Sequence, residues 1–76
     1  MKSWQTKDNK LFNEYKFNDY NQALNFVIEV SKLADNHNHH PDISFGWGYV
    51  QIYLYSHDKN AITQRDHQLA DAISSL

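Results

Sequence analysis

The sequence predicts an α+β fold: a four-stranded antiparallel sheet with two helices on one face, in the order strand, strand, helix, strand, strand, helix. Three observations carry that prediction. Apolar residues alternate with polar ones before residue 18, apolar residues then recur at three and four residues up to position 34, and both patterns repeat in the second half of the chain. One helical stripe each, laid on one sheet face, is the simplest way to bury all of it. At 76 residues the chain forms a single domain, 1–76, with a small core, and further burial through self-association is expected at this size.

The elements follow in order. Residues 2 to 17 read as two short strands around Lys7-Asp8-Asn9-Lys10, with Leu11, Asn13, Tyr15 and Phe17 on one face of the second. Asn18 or Asp19 then caps a helix of about five turns, with Asp19 and Gln22 at capping-box spacing. Its apolar stripe is Ala23, Phe26, Val27, Val30, Leu33 and Ala34. Pro41 disfavours the α conformation at His40, so the helix should end near His37 or Asn38. From Ile43 to Tyr55 the chain reads as two strands with a tight turn near Gly48. Val50, Ile52 and Leu54 face one way there, Gln51, Tyr53 and Tyr55 the other, and His57 leaves on the tyrosine side. After the polar loop Asp58-Lys59-Asn60, Thr63 and Asp66 form a second capping-box pattern, and Leu69, Ala70, Ile73 and Leu76 give the last helix its stripe.

Composition excludes several function classes. Seven Lys and Arg against nine Asp and Glu give a formal charge of -2, with no basic run to track phosphates, so nucleic acid is not an expected ligand. There is no cysteine, hence no disulfide framework and no thiolate metal site, which fits a cytoplasmic protein. The first residues lack the apolar core of a signal peptide, and no later segment suits a membrane span.

Chemistry concentrates in Asp35-Asn36-His37-Asn38-His39-His40-Pro41-Asp42, which holds three of the five histidines. A metal reading takes His37, His39, His40 and His57 as nitrogen ligands. Adjacent His39 and His40 project apart in a regular backbone, however, and no zinc-motif spacing follows. Acid–base chemistry suits the pattern better, because the ordinary imidazole titrates near neutrality, at about pH 6.5. Asp35 stands four residues before His39, so a persisting helical turn would let it hold that ring's tautomer. The alternative for Asp35 is a solvated acid at the helix end. No nucleophile elbow, glycine-rich phosphate loop or carboxylate pair competes with this constellation.

Asp35-x-x-x-His39-His40-Pro41, then Trp47, then Ser56-His57, then Asp66 closely resembles the signature of the pterin-4a-carbinolamine dehydratases. Trp4, Phe17-Asn18-Asp19-Tyr20, Ala23, Phe26 and Leu69-Ala70 agree with that family's pattern as well. The resemblance implies dehydration of 4a-hydroxytetrahydropterin to quinonoid dihydropterin, in recycling of the pterin used by aromatic amino acid hydroxylases. It implies no metal or bound cofactor, and assembly as a homodimer or a homotetramer. The active-site histidines would be His39, His40 and His57, with His39 and His57 serving the departing hydroxyl and His40 substrate contact or base. Asp35, Trp47, Ser56 and Asp66 would bind substrate or orient the histidines, Trp47 as a wall for the flat pterin.

Three departures from the pattern stand out. Ser56 replaces the usual threonine, Asn60-Ala61 a Gly-Gly pair, and Asp35 the commoner glutamate. Relative to the resemblance the chain starts at about the first strand, so the N-terminal helix of many members is not expected. His37 and His67 fall outside the motif and read as solvated or locally bonded. A non-catalytic dimerisation or binding module of the same fold is the competing function.

Overall fold

The computed structural model describes residues 4–76. Its elements are β1 (Gln5–Lys7), β2 (Lys10–Lys16), α1 (Tyr20–His37), β3 (Asp42–Gly46), β4 (Tyr49–Leu54) and α2 (Gln64–Ser74). The strands form one antiparallel sheet in the order β1-β2-β4-β3. Positions 2 and 3 of the expected first strand lie outside the described residues.

Turn chemistry sets both hairpins. Asp8 and Asn9 take positive φ (54° and 63°) between β1 and β2, a conformation that short polar side chains tolerate and that two-residue hairpins require. Trp47 and Gly48 link β3 to β4, with Gly48 at φ 79°. A Cβ on Gly48 would stand 2.9 Å from the Phe17 carbonyl oxygen, and the Phe17 N–H donates to the Gly48 carbonyl at 2.8 Å. Glycine is needed at this close approach.

Strand alternation places Leu11 and Asn13 of β2 and Val50, Ile52 and Leu54 of β4 on one face, all buried. Against them pack Ala23, Val30 and Ala34 of α1 and Leu69, Ala70 and Ile73 of α2. Each large aliphatic side chain so buried contributes roughly 1.5–3 kcal/mol. Trp4 closes one edge, its indole N–H donating to Ser74 Oγ at 2.9 Å. Among the described residues the opposite sheet face carries no helix and presents Phe12, Tyr53 and Tyr55. Leu76 departs from expectation: α2 ends at Ser74, so Leu76 lies past the stripe and stays exposed.

Helix ends agree with the capping signals in part. The Asp19 carboxylate accepts from the Gln22 N–H at 2.8 Å, but the Gln22 side chain returns to the Asn18 N–H rather than to that of Asp19. At the other end Asn38, in the left-handed conformation (φ 51°), terminates α1. Pro41 stands three residues further on and governs the approach to β3 instead. None of the helices is long and apolar enough to cross a membrane, among the described residues.

Candidate active site

His39 is placed by the way α1 stops. The Asn38 N–H donates to the Asp35 carbonyl (3.1 Å) and the His39 N–H to the Ala34 carbonyl (3.1 Å), the two reversed bonds of a Schellman motif. The left-handed turn at Asn38 takes His39 off the helical projection and carries its ring inward, leaving it 7% exposed.

The ring lands on Asp66, which is fully buried in the first turn of α2. His39 Nε2 bonds Asp66 Oδ1. The other carboxylate oxygen accepts from the Thr63 N–H at 2.8 Å and from the Ser56 hydroxyl at 3.0 Å. The Thr63 hydroxyl in turn lies 2.6 Å from Ser56 Oγ. Burial alone would push the Asp66 carboxyl up. The bonds from His39, Thr63 and Ser56 outweigh it and hold Asp66 below its ordinary value. Asp66 is therefore ionised and accepts only, so His39 carries its hydrogen on Nε2 and keeps Nδ1 for other work. Ser56, the donor to Asp66, is buried as well.

The other two motif histidines are exposed. His40 Nε2 lies 2.8 Å from Asp35 Oδ1. Here the structure corrects the expected pairing: Asp35 holds His40, not His39, because the left-handed Asn38 breaks the i,i+4 relation before it reaches position 39. His57 stands past the end of β4, its ring 4.2 Å from the Tyr55 ring and its Nε2 3.8 Å from Asp42 Oδ1. Three histidines thus turn Nε2 toward three different aspartates.

Antiparallel register brings these groups to one end of the sheet. Asp42 pairs with Tyr53, which sets the segment before β3 beside the segment after β4, and Asp66 ties His39 to Ser56 from below. Trp47 is not brought to this group. It sits in the hairpin turn beyond Gly46, at the far end of the five-residue strand β3, about 16 Å of extended chain away, and is 72% exposed. The aromatic ring beside His57 is that of Tyr55. His37 and His67 are both exposed. Among the described residues no three His, Asp or Glu side chains gather as metal ligands would.

Residues 1–76 match the sequence profile of the family described as Pterin 4 alpha carbinolamine dehydratase. The chain belongs to the pterin-4a-carbinolamine dehydratase family. A protein of Sulfurisphaera tokodaii, named provisionally as a pterin-4-alpha-carbinolamine dehydratase, is 38% identical over 76 residues, covering 100% of this chain and 82% of the relative. One from Rubrobacter xylanophilus, named in the same way, is 35% identical over 77 residues, covering 100% and 72%. Among solved structures, the transcriptional coactivator/pterin dehydratase of Brucella melitensis superposes with a TM-score of 0.88 at 26% identity, over 95% of this chain and 79% of that one. A pterin dehydratase-like protein identified as a RuBisCO assembly factor in the α-carboxysome gives 0.75 at 26% identity, over 96% and 84%.

Within this pterin dehydratase fold, sequence reading missed three neighbours of the candidate residues: Asp42, Tyr55 and the Thr63 side chain. Asp42 and Tyr55 lie beside motif residues, but only strand register shows that they meet at His57. Thr63 was legible as a helix cap, and its hydroxyl acts also toward Ser56.

Proposed function

We propose that this chain dehydrates a 4a-hydroxytetrahydropterin to the quinonoid dihydropterin, as a lyase acting through histidine acid–base catalysis. The observation that carries the proposal is the common orientation of His39, His40 and His57, each with Nε2 toward an aspartate. That arrangement leaves Nδ1 of each ring to exchange a proton with substrate. Dehydration needs one proton given to the departing hydroxyl, so that it leaves as water, and one removed from a pterin ring nitrogen. No covalent intermediate forms and no net proton is consumed. Groups that titrate near neutrality meet both demands. We assign His39 and His57 to the hydroxyl, His40 to the ring nitrogen, and Asp35, Ser56 and Asp66 to orientation.

The direct experiment generates the carbinolamine in situ and follows quinonoid dihydropterin with and without the protein. Acceleration over buffer supports the reading, and its absence rejects it. A role in recycling the cofactor of an aromatic amino acid hydroxylase, and assembly as a dimer or tetramer, belong to the same proposal. Sedimentation of a stable monomer at micromolar concentration would contradict the assembly.

A second reading is a non-catalytic binding module, favoured by the structural likeness to a RuBisCO assembly factor. The two separate on the histidines: a protein acting only through an interface has no chemical need of three oriented imidazoles.

A further inference from the structure

We propose that Asp42 and Tyr55 are positioning residues for His57, forming with it a third Asp–His unit. The inference rests on the dehydratase reading. Neither residue belongs to the motif, and the fold brings them together from two strands. Asp42 opens β3 and pairs with Tyr53 on β4, so its side chain projects onto the helix-free sheet face. Tyr55 lies two residues further along on that same face.

His57 is held from two directions. Its ring packs on Tyr55 at 4.2 Å with a 38° tilt, which restricts the plane of the imidazole. Its Nε2 lies 3.8 Å from Asp42 Oδ1, too long for a hydrogen bond and within ion-pair reach. A carboxylate there favours the tautomer with hydrogen on Nε2 and turns Nδ1 away from Asp42. Two neighbouring charges at this end are engaged elsewhere. Lys10 sits over the Tyr55 ring at 4.7 Å, and Asp58 is bonded by Arg65 at 2.7 Å.

Both partners are more than half exposed (54% and 58%), so in the free protein water screens their attraction. A flat substrate laid against His57 excludes that water, and the same carboxylate then acts on the imidazolium through a lower effective dielectric. The contact thus strengthens when a proton moves, which is where an orienting carboxylate contributes to rate.

The test is a cycle of Asp42→Asn, Tyr55→Leu and His57→Ala, with each of the first two also combined with His57→Ala. Asp42→Asn should lower kcat about fivefold with KM nearly unchanged, and Tyr55→Leu should fall in the same range. In the His57→Ala background neither change should reduce the rate further. Ring 15N shifts of His57, read by NMR at a pH where the ring is neutral, should show a smaller Nε2–H population in Asp42→Asn. Full activity of Asp42→Asn, equal losses in both backgrounds, or unaltered His57 shifts would overturn the inference. If the wild-type protein does not accelerate dehydration, the functional reading fails, and the nitrogen shifts alone decide whether Asp42 orients His57.

Discussion

His39 and His57 serve one proposed site from opposite physical environments. His39 is buried, fixed through its backbone by the end of α1 and through its ring by Asp66, a fully buried carboxylate with bonds from Thr63 and Ser56. His57 stands in water, with an aspartate at 3.8 Å and a tyrosine ring beneath it. The first arrangement is part of the fold, and disrupting it leaves a buried charge unpaired. The second is an attachment to a completed sheet. Stability and catalysis should therefore separate between the two halves, and substitutions on each side test that division.

The largest effect belongs to the buried half. Asp66→Ala should cost about 3 kcal/mol, a fall in Tm of more than about 10 °C, because it strands His39, Ser56 and the Thr63 N–H together. Differential scanning calorimetry measures this, and a change below 1 °C would contradict the assigned network. Acid titration sharpens it. The Asp66 carboxyl is held below its ordinary 3.8 when folded, so the stability it contributes is fully present above that value and is lost as pH falls toward the lower folded value. The acid-side decline in Tm should therefore flatten in Asp66→Asn.

On the exposed half, His40→Ala and His57→Ala should each slow dehydration by about 10²-fold, with Tm and circular dichroism unchanged. Loss of fold in either variant would erase the distinction. Ser56→Ala tests the connection from the buried side, removing a hydroxyl from Asp66 at a cost of roughly 1 kcal/mol, and Ser56→Thr should retain the bond and the stability. The smallest effect is expected from Asp35→Asn, since the pair with His40 is exposed on both sides. Denaturant unfolding should register less than about 1 kcal/mol, and dehydration only a few-fold loss.

Each element was legible because its signal is local. The stripe from Ala23 to Ala34 becomes α1, the alternation from Val50 to Leu54 becomes β4, and Thr63 with Asp66 opens α2. The candidate residues His39, His40, His57 and Asp66 were legible as a motif through their spacing. The partner of His39 was not. Spacing offered Asp35 four residues away, while the structure chose Asp66, 27 residues along the chain. One backbone conformation made that difference, the left-handed Asn38, which ends the helix a residue before the histidine.

By itself the sequence determined the elements, the apolar face of each and the family, and it singled out the three motif histidines as candidates, since these follow from periodicity, capping chemistry and motif spacing within short stretches. Only the tertiary structure decided which aspartate meets which imidazole, and which histidine is buried. Those pairings depend on the register of β3 against β4 and on where α2 begins beneath the end of α1. Register and helix packing are set by the burial of the whole core, so no short segment contains them.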